Sequence, residues 1–142
     1  MLLKSEIVVP QGREQVWSIV GDPAQSSRWD RSIARVIPES SLPLGVGWRG
    51  TTVAPSGMRQ QFQITEYQPP ELLSFKLLES KMFRSASLRF TLLDTGSGTR
   101  VIHSIELDLR HRILWPILRI LSPRALARDL DYLKDELARD AR

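Results

Sequence analysis

Cysteine is absent from this sequence of 142 residues, and histidine occurs only twice, as His103 and His111. The lack of cysteine excludes disulfides, thiolate zinc sites, iron–sulfur clusters and a cysteine nucleophile. Two isolated histidines offer no closely spaced set of metal ligands. We therefore expect no metal and no cofactor, and a chain without cysteine fits a reducing, cytoplasmic location.

Long hydrophobic runs are missing as well. No window approaches the roughly 18 uncharged apolar residues that a membrane-spanning helix requires. A secretory signal needs an unbroken apolar run of about 7–15 residues, and Lys4 and Glu6 interrupt the apolar stretch near the start. Hydrophobic residues make up 42% and charged residues 25% of the chain, as in typical soluble globular proteins. We expect one cytoplasmic domain over residues 1–142.

A concentrated basic region is also lacking, although the net charge is +4. The excess comes from arginine, with sixteen residues against four lysines, and it is spread along the chain. No basic run is interleaved with aromatic residues, and neither zinc-finger spacing nor an aromatic RNA-binding motif occurs. We therefore predict no nucleic-acid partner, because diffuse positive charge is typical of solubility or weak electrostatic steering.

The pattern of side chains predicts a strand, two short helices and then six strands. Residues 3–9 alternate as a half-buried strand does, and an apolar helical face follows within residues 12–21. Asp22 and Pro23 are suited to cap and begin a second short helix that runs to about Arg28. The remaining strands are predicted at Ile33–Ile37, Trp48–Val53, Met58–Tyr67, Leu72–Leu78, Ser85–Leu93 and Thr99–Arg110.

The C-terminal region predicts a long helix with an interruption before it. Its apolar stripe consists of Leu126, Leu130, Leu133 and Leu137. In one straight helix the aliphatic face of residues 113–121 would point nearly opposite to this stripe. Ser122 and Pro123 resolve the conflict, since proline suits a first helical position and costs about 3 kcal/mol inside a helix. We predict a break at Ser122, a long helix from Pro123, and an α+β domain.

Four short segments carry a family resemblance over essentially the whole chain. They are Ile7-Val8-Val9-Pro10 with Val16-Trp17, Asp22-Pro23 with Trp29-Asp30, Gly96-Ser97-Gly98-Thr99-Arg100-Val101, and Leu130-Asp131-Tyr132-Leu133-Lys134. In this order they resemble the START-like superfamily of polyketide cyclases, lipid-transfer proteins and related binders, most of all its bacterial cyclase/dehydrase-like branch. The resemblance implies a helix-grip, Bet v 1-like fold, in which a curved antiparallel sheet of about seven strands wraps the C-terminal helix around a cavity. It does not imply one activity.

His103 is the main candidate for a functional polar group. It alternates with Val101, Ile105 and Leu107 on one face of the last predicted strand, and the resemblance implies that this face looks into the cavity. Three interpretations follow: a buried neutral histidine satisfied by one or two hydrogen bonds, an anchor for a ligand carbonyl or hydroxyl, or a general acid or base.

Aromatic residues and one amide complete the predicted site. Phe62 shares a strand face with Met58 and Gln60, and both this face and that of Phe90 are predicted to look inward. Gln60 would then be a second buried polar group that needs a partner, and Trp29 is placed to close one end of a cavity. The predicted ligand-binding residues are Trp29, Trp48, Met58, Gln60, Phe62, Phe90, His103, Leu126 and Leu130.

Three functional hypotheses remain open at this point. The leading one is non-catalytic binding or carriage of a small hydrophobic molecule, such as a lipid, an isoprenoid or a polyketide-like compound. The second is a cyclase or dehydratase that uses His103 with Gln60 or Tyr132. The third is docking to a membrane or a protein through a basic apolar patch around Trp115 and Arg119. The sequence does not distinguish a monomer from a homodimer.

Overall fold

The computed structural model describes residues 2–78, 83–110 and 123–140. The predicted break at Ser122 and the segment 113–121 lie outside these ranges. None of the helices described is long and apolar enough to cross a membrane. The elements in chain order are β1 (Leu2–Val9), α1 (Arg13–Val20), α2 (a 3-10 helix, Pro23–Arg28), β2 (Arg35–Pro38), β3 (Arg49–Val53), β4 (Arg59–Gln68), β5 (Leu72–Leu77), β6 (Phe83–Asp94), β7 (Thr99–Leu109) and α3 (Pro123–Asp140).

The seven strands form one antiparallel sheet in the order β1-β7-β6-β5-β4-β3-β2. Five consecutive pairings, from β2 to β7, join neighbours in the sequence, whereas β1 returns to pair with the last strand. In that pairing Leu2 lies opposite Glu106 and Ser5 lies opposite His103. Together with the C-terminal helix, this arrangement confirms the α+β helix-grip fold predicted from the sequence.

The two short helices begin and end where local chemistry requires. Val16 and Ile19 form the buried face of α1, and both are fully covered. At the start of α2, the Asp22 carboxylate accepts the backbone N–H of Ala24 at 3.0 Å. Pro23 follows at the first helical position, where its missing N–H costs nothing. The tight connection places α2 beside α1, over the mouth of the curved sheet.

The long helix α3 lies along the inner face of the sheet. Leu130, Leu133 and Leu137 are completely buried against α1 and against the inner residues of β6 and β7. Leu126 is 2% exposed and packs in a second cluster with Ile105 and neighbouring apolar residues. Each buried leucine contributes roughly 1.5–3 kcal/mol relative to an exposed one. This predicted stripe is therefore what holds the helix in the grip of the sheet.

Polar contacts fasten α2 and the loop after it to α3. The Arg28 guanidinium donates to Glu136 at 2.8 Å and to Asp140 at 3.0 Å. The guanidinium carbon of Arg31 lies 4.7 Å from the centre of the Tyr132 ring, in a cation–π contact. Exposed ion pairs contribute only about 0–1 kcal/mol each, so these contacts chiefly fix the position of the loop.

The outer face of the sheet carries its own paired polar residues. Arg89 on β6 contacts the Ser74 hydroxyl on the neighbouring strand β5 and the Glu66 carboxylate on β4, one strand further. Arg100 on β7 donates to Glu6 on β1 at 2.6 Å. Both arginines lower the pKa of the carboxyl group that they contact. This face is therefore a solvated surface whose charges satisfy one another.

Candidate functional site

A cavity of about 180 Å³ lies between the inner face of the sheet, α2 and the loop that follows α2. Most of its wall is apolar and comes from the central strands. The principal wall residues are Phe62, Ile64, Leu73, Phe75, Leu88 and Phe90. Phe62 and Phe75 contact each other with ring centres 5.5 Å apart. The wall is thus a largely apolar surface that contains few polar groups.

His103 is a deeply buried polar group of this wall. Its residue exposure is 4%, and its ring stacks on Phe90 with centres 4.2 Å apart and planes at 14°. Neither ring nitrogen has a hydrogen-bond partner among the described residues. The described residues therefore do not provide the one or two hydrogen bonds that the first interpretation of His103 requires.

Burial also fixes the protonation state of His103. Desolvation lowers the pKa of the imidazole from 6.5 to about 4, because a charge is disfavoured away from water. At neutral pH the ring is uncharged, with one N–H donor and one acceptor nitrogen. Leaving such a buried group unpaired costs about 1–3 kcal/mol. A molecule in the cavity that completes these hydrogen bonds would recover that free energy.

Trp29 adds a third unpaired nitrogen to the residues that line the cavity. It lies at the end of α2, is 3% exposed, and meets Phe90 edge to face with ring centres 5.7 Å apart. Its indole N–H has no acceptor among the described residues. Phe90 thus contacts both His103 and Trp29, and these two polar rings lie on the same part of the wall.

Gln60 lines the cavity as well, but the protein already uses its donors. The side-chain amide is half-buried and donates to the backbone carbonyl of Gln61 at 2.9 Å and to that of Leu78. The partner that the sequence left open for Gln60 is therefore the main chain of its own and a neighbouring strand.

The end of the cavity at Asp30 carries a negative group that the sequence reasoning missed, and Asp30 interacts with a second carboxyl group, Asp129, which is not itself a lining residue. Asp30 lines the cavity and accepts the backbone N–H of Ser32 at 2.9 Å and its hydroxyl at 2.6 Å. Burial raises the pKa of Asp30. Asp129 of α3 is partly buried, and desolvation and the charge of Asp30 raise its pKa to about 6, against an opposing effect of Arg128. This end of the cavity is therefore acidic.

Four of the predicted site residues do not line the cavity. Trp48 lies behind Phe62, with ring centres 5.8 Å apart, and Leu126 and Leu130 belong to the packed core under α3. The inward placement of Met58 is wrong: its residue is 64% exposed, because β4 begins only at Arg59. The residues that do line it are Trp29, Gln60, Phe62, Phe90 and His103.

The residues of the cyclase or dehydratase hypothesis are brought together only in part, since Gln60 and His103 line the cavity and Tyr132 does not. Tyr132 is 37% exposed and lies under Arg31, away from the cavity wall that holds His103 and Gln60. Trp115 and Arg119 of the docking hypothesis lie outside the described residues. What the cavity brings together is an apolar wall, three ring nitrogens with no partner among the described residues, and an acidic end.

Solved structures share this fold at low sequence identity. A protein from Mesorhizobium loti superposes with a TM-score of 0.80 at 15% identity, over 98% of each chain. A START superfamily protein from Mycobacterium smegmatis gives 0.77 at 16% identity, over 97% of each chain. The di-domain ARO/CYC StfQ from the steffimycin biosynthetic pathway gives 0.77 at 13% identity, with 99% of this chain covering 51% of that one. These likenesses show the fold alone.

Sequence comparison identifies the family. Among the curated proteins no sequence matches this chain significantly. The family model described as polyketide cyclase / dehydrase and lipid transport, however, matches residues 3–138. That span covers β2 to β7, all of β1 except Leu2, the cavity wall and nearly all of α3, in agreement with the predicted resemblance. The chain therefore belongs to the polyketide cyclase/dehydrase and lipid transport family.

Proposed function

We propose that this protein binds or carries a small, mostly apolar molecule in the cavity between the sheet and α2. The observation that carries the proposal is His103, buried in an apolar wall with both ring nitrogens unpaired. In native proteins buried polar groups are nearly always hydrogen-bonded. A molecule that occupies the cavity would supply the missing partner.

The energetics of an empty cavity support the same proposal. Unfilled apolar volume costs about 24 cal/mol per Å³, so a dry space of 180 Å³ forfeits roughly 4 kcal/mol. The unpaired imidazole adds about 1–3 kcal/mol. Domains have a total stability of only about 5–15 kcal/mol. Occupation by a fitting molecule would thus stabilise the protein substantially.

The family membership is compatible with binding, carriage or catalysis, since its description names both enzymes and lipid transport. The inner wall favours binding, because the described part of it contains no assembled set of reactive side chains. His103 has a pKa of about 4 and is a weak base at neutral pH. The apolar wall accounts for a hydrophobic ligand without any further chemistry.

Native mass spectrometry of the freshly purified protein tests this proposal. We expect a mass in excess of the denatured chain, released on denaturation, or uptake of added toluene when the purified cavity is empty. Val36→Phe should block occupation, because Val36 lines the cavity. Val8→Phe is the matched control, since Val8 is 56% exposed on β1. A bare mass together with no uptake of toluene would refute binding.

A second candidate, cyclase or dehydratase chemistry, is favoured by the two carboxyl groups. A carboxylic acid with a pKa near 6 is suited to proton transfer at neutral pH, and Asp129 has such a pKa beside Asp30. An enzyme would convert the molecule that co-purifies with Asp30→Asn once the wild-type protein is added. Recovery of that molecule unaltered after long incubation would exclude this chemistry.

A further inference from the structure

The chemistry of the cavity narrows the class of ligand, provided that the proposed function holds. We infer that the cavity selects an uncharged molecule of about one ring that carries a hydroxyl or carbonyl oxygen, and that its acidic end rejects carboxylates. Three independent features lead to this assignment: the volume of the cavity, the hydrogen-bonding capacity of its unpaired nitrogens, and the charges around it.

The volume sets the size of the ligand. A dry protein cavity of about 150 Å³ holds one benzene molecule. The cavity here has about 180 Å³, which leaves room for a six-membered ring with a small substituent. A long acyl chain or a fused multi-ring compound exceeds this space. The size therefore favours a one-ring molecule over the larger lipids and polyketides considered from the sequence.

The unpaired nitrogens set the polar group. The indole N–H of Trp29 is a donor only, and the neutral imidazole of His103 offers one donor and one acceptor. A ligand oxygen within hydrogen-bond distance of either ring would accept from it, and a hydroxyl would in addition donate to the imidazole. An ammonium group can only donate, so it cannot satisfy the indole. The wall is thus complementary to a hydroxyl or carbonyl oxygen.

The surrounding charges set the ligand's net charge. No lysine or arginine occurs among the described lining residues, whereas Asp30 does. The two arginines next to Trp29 and Asp30 in the sequence have other contacts, Arg28 with Glu136 and Arg31 with the ring of Tyr132. A carboxylate in the cavity would lose its hydration without gaining a cationic partner, which costs several kcal/mol by general estimates. Asp129 and Asp30 add direct repulsion.

An ammonium group meets a different obstacle. Asp30 lies at the cavity and would attract it, but one of its carboxylate oxygens already accepts two hydrogen bonds from Ser32. Burying the ammonium among the apolar wall residues would leave most of its donors unpaired. The neutral oxygen-bearing molecule is therefore favoured over both charged forms.

Four probes of nearly equal size test the assignment by calorimetric or NMR titration. They are ethylbenzene, benzyl alcohol, benzoate and benzylamine. We expect benzyl alcohol to bind about tenfold more tightly than ethylbenzene, since one completed hydrogen bond has roughly that effect. Benzoate should not bind measurably at pH 7.5, and benzylamine should bind more weakly than the alcohol.

Variants locate the effect in the two rings. His103→Leu and Trp29→Phe should each reduce the preference for benzyl alcohol over ethylbenzene by about three- to tenfold while ethylbenzene still binds. Ser104→Ala is the control, because Ser104 neighbours His103 but belongs to the opposite face of β7. Circular dichroism establishes that each variant is folded, and the use of two variants protects the test if one is not.

The outcomes separate the two levels of the proposal. Equal affinities for ethylbenzene and benzyl alcohol, or tighter binding of benzoate or benzylamine, would overturn the assignment while leaving hydrophobic binding intact. Binding of none of the four probes would overturn both. A preference for the alcohol that survives His103→Leu and Trp29→Phe would also overturn it, because the selection would then not come from these rings.

Discussion

The two faces of the sheet differ in the burial and pairing of their polar side chains. On the outer face, Arg89 contacts Glu66, and Arg100 contacts Glu6, although water is available to all four groups. On the inner face His103 is buried and has no hydrogen-bond partner among the described residues. An unpaired polar group costs far more in the second setting than in the first. These unpaired inner groups are the basis of the proposal that a bound molecule provides their hydrogen-bond partner.

The largest expected effect comes from removing the ring that joins the inner polar groups. Phe90→Ala should lower the free energy of unfolding by about 3–5 kcal/mol, as for other buried phenylalanines, because Phe90 is 5% exposed and contacts both His103 and Trp29. Urea denaturation measures the change. A loss below 1 kcal/mol would mean that the inner wall is not packed as described.

The burial of His103 on the inner face should make the stability of the protein depend on pH. Above pH 6.5 the imidazole is neutral in both the folded and the unfolded chain. As the pH falls from 6.5 to about 4, only the unfolded chain takes up the proton, so stability is lost. The shift corresponds to about 3 kcal/mol in full.

The variant His103→Leu should lack this loss. It should also be at least as stable as the wild type at pH 7.5, because an apolar side chain replaces two unpaired nitrogens. Thermal unfolding at pH 7.5 and 4.5 compares the two proteins. A large destabilisation at pH 7.5 would instead indicate that the protein itself satisfies the imidazole.

Asp129 should give stability a pH dependence opposite to that of His103. Its raised pKa means that the protonated form stabilises the fold at low pH, and this stabilisation is lost as the pH rises from 3.8 through about 6. Asp129→Asn should therefore stabilise the protein at pH 7.5, by about 1 kcal/mol after allowance for solvent screening. The gain should disappear near pH 4.

Chemical denaturation at the two pH values measures the effect of Asp129→Asn. Asp135→Asn is the control, since Asp135 is exposed on the same helix. An equal gain in both variants would attribute the effect to the net charge of α3 rather than to the contact with Asp30.

The smallest effect is expected on the outer face. Arg89→Ala should change the free energy of unfolding by no more than about 1 kcal/mol, because Arg89 and Glu66 are both solvent-accessible and surface ion pairs contribute little. Phe90 is its immediate neighbour, so the two variants compare the faces at adjacent positions. Similar urea midpoints for Arg89→Ala and Phe90→Ala would abolish the distinction between the faces.

The fold was predictable because its signals are local in the sequence. Alternation over residues 101–109 indicates β7, and leucines three and four residues apart indicate the buried face of α3. Proline and glycine mark most of the connections. The structure confirms these elements, with boundaries that differ by one or two residues at most of the strands. The inward placement of Met58 was wrong because Met58 still belongs to the β3–β4 turn, where its carbonyl accepts the N–H of Ala54 at 2.8 Å.

The site was predictable only in part, because whether a buried polar group has a hydrogen-bond partner depends on residues far apart in the chain. Period-two alternation places His103 and Phe90 inward, but nothing local reveals that the imidazole has no partner. The two carboxyl groups, likewise, come from distant parts of the chain: Asp30 lies in the loop after α2, and Asp129 lies on α3. A signal for it did exist: Asp129 lies three residues after Leu126 and four before Leu133, so the helical period places it near the buried face.

The pairing of β1 with β7 also governs the order in which the domain can assemble. Placing Leu2 opposite Glu106 closes a loop of roughly 100 residues, whereas the hairpins from β2 to β7 close short ones. Helices α1 and α2 follow β1 directly, so the cavity is expected to be completed late. A ligand such as benzyl alcohol should then slow unfolding and leave the refolding rate unchanged in stopped-flow traces; faster refolding would mean that the cavity forms early.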